Sequence, residues 1–140
     1  MFEKILVAYD DSEGSREALD HAIKLAKKLN CSLRLLWVRS TLPHYPETMD
    51  EIEEEAVAAN KFFAKIEAQL QVLAEQHGIS LPIESKPGHA AQVIVEYARE
   101  VSADLLVLGV RGHSGVWGRL LGHTAERVTE HAPCDVLIVH

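Results

Sequence analysis

Short apolar runs alternate along the chain with longer segments in which apolar residues recur at helical spacing. Runs that are apolar on both faces are typical of strands buried in a parallel sheet. They predict strands at residues 5–9, 33–38, 105–108 and 136–139, and a short strand at 81–83 and its neighbours. The helical spacing predicts amphipathic helices at about 14–29, from Thr48 to a stop at Gly78, at 93–101 and at about 124–131.

The order βαβαβαβαβ predicts an α/β fold in which helices cover both faces of an open, parallel, five-stranded sheet. No linker or internal repeat interrupts it, so residues 1–140 are interpreted as a single domain. Ligands of such sheets bind beyond the carboxyl ends of the strands. Two polar joints lie there, residues 10–12 after the first strand and residues 109–122 after the fourth. If both joints serve one ligand, strands one and four are neighbours, which favours the strand order 3-2-1-4-5 over 2-1-3-4-5.

The long second helix begins in a cluster of acidic residues. Thr48 and Glu51 have the spacing of a capping box. The five carboxylates at 50–55 either attract a cation or a basic partner, or complement the positive end of the helix dipole, and the second interpretation is favoured. The apolar positions of this helix are expected to face the core: Ile52, Ala56, Ala59, Phe63, Ile66, Leu70 and Leu73.

The joint after the fourth strand is rich in glycine, with glycines at 109, 112, 115, 118 and 122. Glycine lets the backbone approach a ligand closely, and the N-terminus of the following helix offers free N–H groups to an anion. The segment therefore suits a phosphate chain, although a merely loose loop explains the glycines as well.

The common catalytic and nucleotide-binding motifs are absent from the sequence. It contains no GxxxxGK[ST], no GxGxxG after the first strand, no GxSxG and no HExxH. His113 and Ser114 do not make a catalytic pair by adjacency alone, and the histidines and cysteines lack metal-ligand spacing. No catalytic residue and no metal site are therefore predicted.

Composition narrows the range of partners. A net charge of −7 argues against a nucleic-acid surface. Cys31 and Cys134 lie beside or within apolar runs and form no CxxC, so we expect reduced, buried thiols in a cytoplasmic protein. No apolar run approaches the ~20 residues that span a bilayer, and the charged start does not resemble a signal peptide, so no membrane partner is expected.

Three stretches of the sequence carry a family resemblance: ILVAYDDSEGSREAL, SADLLVLGVRGHSG and HAPCDVLIV. Through them the chain resembles, nearly end to end, the universal stress protein (UspA-type) family. Gly109, Gly112 and Gly122 match in register the Gly-x2-Gly-x9-Gly-[Ser/Thr] motif of its ATP-binding members. The resemblance implies a Rossmann-like fold of the adenine nucleotide alpha hydrolase-like type. It also implies a homodimer formed through the last strand, here 136–139.

The resemblance further implies a contact for each part of a nucleotide. Asp10 would hold the adenine or ribose end. Ala8, Tyr9 and Val38 would line the adenine, and Leu108 and Gly109 would lie beneath the ribose. The phosphates would be contacted by Gly112, Gly122, His123 and Thr124. The expected function is a sensor or regulator that binds ATP or another adenine nucleotide such as AMP, with or without Mg²⁺, and with little or no turnover. A nucleotide-free dimeric interaction module and a slow ATPase are the alternatives.

Two positions depart from the family pattern. His123 replaces the Ser or Thr that follows the third glycine, and losing one hydroxyl bond to a charged group costs roughly 1.5–3 kcal/mol. We expect weaker or pH-dependent phosphate binding, since the imidazole can itself donate a hydrogen bond, and loss of nucleotide binding is the alternative. Asp11 stands where the family often has glycine, and its carboxylate would repel phosphates unless it faces solvent or shares a divalent cation with them.

Overall fold

Strands and helices alternate throughout the part of the chain that the computed structural model describes, which comprises residues 2–39, 48–110 and 123–140. The strands are β1 (Lys4–Tyr9), β2 (Ser32–Arg39), β3 (Ile83–Pro87), β4 (Leu105–Gly109) and β5 (Asp135–Val139). The helices are α1 (Glu13–Leu29), α2 (Met49–His77), α3 (Ala90–Glu100) and α4 (His123–His131). The predicted alternation of elements is therefore confirmed.

All strand pairs are parallel, and the sheet has the order β3-β2-β1-β4-β5. The central strand β1 pairs with β2 and β4, with Ile5 level with Leu33 on one side and with Leu105 on the other. This confirms the predicted order 3-2-1-4-5. The carboxyl ends of β1 and β4 consequently lie next to each other.

Helices cover both faces of the sheet. Alternate residues of β1 supply the two cores, because successive side chains of a strand point to opposite faces. Ile5, Val7 and Tyr9 pack with α1 and the second half of α2, whereas Leu6 packs with α3 and α4. Ile5, Leu6 and Val7 are almost completely buried, as the apolar run predicts for a central parallel strand.

The third strand lies later in the chain than predicted. The sequence pattern centres a short strand on 81–83 and its neighbours, whereas the strand runs from Ile83 to Pro87 and pairs with β2. Leu81 is instead a buried member of the α1–α2 core. The apolar pattern misses β3 because an edge strand can carry polar residues and even a proline, whose missing N–H is tolerated there.

The second helix begins and ends as predicted. Thr48 caps its start, where the Glu51 N–H donates to Thr48 Oγ1 at 3.1 Å, and Gly78 ends it with a φ of 65°. No helix in the described ranges is both long and apolar enough to cross a membrane.

The expected core stripe of α2 is only half buried. Ile66 and Leu70 are buried and Phe63 and Leu73 partly so, but Ile52, Ala56 and Ala59 are exposed, contrary to the prediction. The reason is length: a helix of 29 residues measures about 43 Å. The eight residues of the longest strand span about 26 Å, so the sheet can cover only part of this helix.

The two cysteines form no disulfide and are half-buried, less than the sequence predicts. The Cys31 thiol donates to the carbonyl oxygen of Phe2 at 2.7 Å. Burial raises the pKa of both thiols, and the nearby carboxylate of Asp104 adds to the effect. Both groups are therefore poor nucleophiles, as structural thiols are.

Candidate functional site

The candidate site lies at the carboxyl edge of the sheet, where β1 and β4 end side by side. Val7 and Val107 are the last paired residues of the two strands, and each strand runs two residues further, to Tyr9 and Gly109. In a parallel sheet with helical crossovers, each helix begins at this edge. The N-termini of α1 and α4 and the end of β1 therefore face the same region.

The Asp10 carboxyl group is fixed by the turn that starts α1. Its Oδ1 accepts a hydrogen bond from the Ser12 N–H at 3.0 Å and another, short one, from the Ser12 hydroxyl. The Asp10 N–H donates to the Ser15 hydroxyl at 3.3 Å. Because both serines are buried, the turn holds this carboxylate in one orientation at the end of β1.

Ser12 is also the N-cap of α1. The Ser15 N–H donates to Ser12 Oγ at 3.2 Å, and the Ser15 hydroxyl donates to the Ser12 carbonyl at 3.0 Å. A single pair of serines therefore caps the helix and orients Asp10. The placement of Asp10 is thus coupled to the start of α1.

The Asp11 carboxylate is paired with an arginine of the same domain. Its Oδ1 accepts from the Tyr9 hydroxyl at 3.0 Å and from Arg16, with Nε at 3.2 Å and Nη2 at 3.1 Å. The backbone of Asp11 is left-handed, with a φ of 61°. This conformation explains why glycine suits the position, and the ion pair reduces the repulsion expected between this carboxylate and a phosphate.

Among the side chains implied to contact the adenine and the ribose, the structure separates Tyr9 from the others. Ala8, Val38 and Leu108 pack in the core of α3 and α4. The Tyr9 side chain lies on the opposite face, 6% exposed, with its ring 5.7 Å from that of Trp37. Burial, followed by the hydrogen bond to Asp11, raises the pKa of Tyr9 to about 12. Tyr9 therefore remains a neutral hydrogen-bond donor, and only its backbone is available on the Ala8 face.

Gly109 has a packing role that the sequence analysis missed. A Cβ added to it would lie 2.2 Å from the carbonyl oxygen of Gly14, in the first turn of α1. Gly14 itself is buried. The close contact between the β4 and α1 backbones therefore requires glycine at 109 whether or not a ligand binds. In the sequence, the only sign of this contact is that both positions, 14 and 109, are glycines.

The implied phosphate contacts are described only in part. Gly112 and Gly122 lie outside the described residues, as do His113 and Ser114. His123 begins α4, and nothing is described of its side chain. Thr124 lines a groove of about 540 Å³ between α3 and α4, together with Arg99, Arg127 and His131. Among the described residues, no cluster of His, Cys, Asp or Glu could hold a metal ion.

Comparison with known proteins identifies the family of the chain. The sequence profile of the universal stress protein family matches residues 1–140. The chain therefore belongs to the universal stress protein family. A universal stress protein of Methanocaldococcus jannaschii is 33% identical over 147 aligned positions, which cover 99% of this chain and 82% of the relative.

Solved structures agree with the assignment. The universal stress protein UspA from Lactobacillus plantarum superposes with a TM-score of 0.83 at 27% identity, covering 99% of this chain and 98% of its own. A universal stress protein crystallised in complex with cAMP is 30% identical with a TM-score of 0.73, covering 99% and 97%. These similarities confirm the Rossmann-like fold expected from the sequence.

Proposed function

We propose that this universal stress protein binds an adenine nucleotide at the carboxyl edge of its sheet. The observation that carries the proposal is the fixed carboxyl group of Asp10 at the end of β1, beside the end of β4. An ionised carboxylate accepts hydrogen bonds and donates none, so it suits a donor such as a ribose hydroxyl or an adenine amino group. The structure of a 30% identical relative with cAMP supports an adenine nucleotide as the ligand class.

The phosphates would extend from Asp10 toward the start of α4. The first N–H groups of a helix have no partner within the helix, and its dipole favours an anion there, which matters in a chain of net charge −7. Gly112, Gly122, His123 and Thr124 are the proposed contacts, with Ala8, Val38, Leu108 and the Tyr9 and Gly109 backbones nearer the base and ribose. The proposed ligand is ATP or AMP, with or without Mg²⁺. The proposed role is that of a sensor or regulator that hydrolyses the nucleotide slowly or not at all.

Calorimetry with ATP, AMP and cAMP, in the presence and absence of Mg²⁺, tests the proposal. The variant Asp10→Asn keeps an oxygen for the Ser12 bonds but removes the charge. We expect it to weaken binding by about 1.5–3 kcal/mol, roughly tenfold to a hundredfold. Asp20→Asn, an exposed carboxylate on α1 paired with Lys24, is the matched control and should bind like the wild type.

Two results would count against the site. If Asp10→Asn and the wild type bind the nucleotide with equal affinity, Asp10 is not part of the binding site. Absence of binding at millimolar nucleotide would favour the nucleotide-free interaction module.

We also propose that the protein is a homodimer formed through β5. The two edges of the sheet differ: β3 ends in Lys86 and Pro87, whereas β5 presents half-buried Val136, Leu137 and Ile138. Lysine and proline protect an edge strand from pairing. The β5 edge has apolar side chains instead, which a second copy would cover.

A further inference from the structure

A groove of about 540 Å³ lies between α3 and α4. Ala91 and Val95 give it an apolar lining on the α3 side. Each helix also supplies an arginine to the lining, Arg99 from α3 and Arg127 from α4. Among the described residues that line the groove, Glu96 is the one carboxylate. The groove therefore has more positive than negative side chains, in a chain whose net charge is −7.

Neither arginine is paired within the part of the chain that the structure describes. No carboxylate there forms an ion pair with the guanidinium group of Arg99 or of Arg127. The acidic residues near Arg127 on α4, Glu126 and Glu130, do not belong to the lining of the groove. Both guanidinium groups are consequently available to an anion that enters the groove from solvent.

One end of the groove coincides with the proposed phosphate site. Thr124, a proposed phosphate contact, lines the groove, and so does Ala90, the first residue of α3. Because α3 has no acidic residue in its first turn, its own side chains do not compensate the positive end of its dipole there. Arg127 follows Thr124 by three residues, on the same face of α4 and about 4.5 Å further along the helix axis. An anion that extends from Thr124 into the groove therefore meets Arg127 next.

We propose that the groove receives the terminal phosphates of the bound nucleotide and that Arg127 makes the site selective for ATP over AMP, an inference that rests on the proposed function. The single phosphate of AMP lies next to the ribose and ends at the start of α4. ATP has two further phosphates, which extend past Thr124 into the groove. A guanidinium group donates two parallel hydrogen bonds to a phosphate, and Arg99 adds positive charge further along the groove.

Calorimetry with AMP and with ATP, both without Mg²⁺ so that no cation shields the phosphates, tests the inference. The wild type should bind ATP more tightly than AMP. Arg127→Gln should lower the affinity for ATP about tenfold to a hundredfold and leave that for AMP within about twofold. Arg34→Gln is the matched control, because it removes the same charge from an exposed arginine near the start of β2, at the opposite edge of the sheet. It should bind both nucleotides like the wild type.

Glu96 provides a test of opposite sign. Its Oε1 accepts a hydrogen bond from Gln92 Nε2 at 3.1 Å, and the amide oxygen of a glutamine can keep this bond. Glu96→Gln therefore removes the negative charge from the groove with little change in structure. Its affinity for ATP should rise about twofold to fivefold, whereas its affinity for AMP should stay the same.

The two nucleotides separate a failure of this inference from a failure of the proposed function. If Arg127→Gln weakens ATP and AMP binding equally, or weakens neither, while Asp10→Asn still weakens both, the nucleotide site stands and the groove does not hold its phosphates. An ATP affinity of Glu96→Gln that does not rise would also overturn the inference. If the wild type binds neither nucleotide, the proposed function fails and the inference fails with it.

Discussion

Asp11 adopts a left-handed backbone conformation, with a φ of 61°, at the junction of β1 and α1. Its side chain meanwhile accepts hydrogen bonds from Tyr9 and Arg16. The backbone requirement favours glycine and the side-chain bonds favour aspartate, which tolerates this conformation better than most residues. At this residue, the free-energy cost of the left-handed backbone is offset by the side-chain hydrogen bonds to Tyr9 in β1 and Arg16 in α1.

Comparing two substitutions at position 11 separates these contributions. Asp11→Gly and Asp11→Ala both lose the bonds to Tyr9 and Arg16, but only alanine keeps the cost of a left-handed backbone. We expect Asp11→Ala to have a free energy of unfolding about 1–2 kcal/mol below that of Asp11→Gly, measured by urea denaturation.

Asp20 supplies the control for that comparison, because it is an exposed aspartate inside α1. There the order should reverse, with Asp20→Gly about 1 kcal/mol less stable than Asp20→Ala. If Asp11→Ala is as stable as Asp11→Gly, the left-handed conformation carries no cost at this position.

At the scale of elements, the contact of β4 with α1 depends on the absence of a side chain at Gly109. A methyl group there would meet the Gly14 carbonyl oxygen, a backbone atom that can move only if the first turn of α1 moves. Because that turn also contains Ser12 and Ser15, a shift of α1 would disturb the bonds that orient Asp10.

Gly109→Ala should therefore lower the free energy of unfolding by about 3 kcal/mol through steric overlap. Gly78→Ala is the comparison, since Gly78 has a φ of 65° and nothing within 4 Å of an added Cβ. Its cost should be about 1 kcal/mol, from backbone strain alone. Thermal and urea denaturation measure both values, and a Gly109→Ala protein no less stable than Gly78→Ala would contradict the packing role.

The sequence predicts strands well where they are apolar and poorly at the edge strand β3, which is largely polar. The runs at 5–9 and 105–108 correspond closely to β1 and β4, whose neighbouring polar ends also favour the observed strand order. In contrast, β3 has a polar alternation that resembles a loop. The 3.6-residue period of α2 correctly predicts a helix, but periodicity alone does not indicate where the sheet that covers it ends.

For the candidate site, the sequence predicts residue types better than side-chain directions. The position of Asp10 follows from the end of a buried strand. The separation of Tyr9 from Ala8 follows from strand alternation, once β1 is known to be covered on both faces. The Gly109–Gly14 contact depends on tertiary packing between β4 and α1, which no local pattern encodes.

At the scale of the whole molecule, the unequal edges of the sheet favour assembly through β5. The β3 edge carries charge and a proline, while β5 adds apolar residues that the helices leave half-exposed. A strand with unpaired backbone groups and apolar side chains can pair with a copy of itself.

Val136→Lys tests this proposal by giving β5 the protection that β3 already has. A lysine at the outer strand can extend its ammonium group into solvent, so the domain should fold while the β5 pairing weakens at least about tenfold. Sedimentation should then show a species of half the mass, with an unchanged circular dichroism spectrum. Glu84→Lys, on the opposite edge, should leave the mass unaltered. If folded Val136→Lys keeps the mass of the wild type, β5 is not an interface.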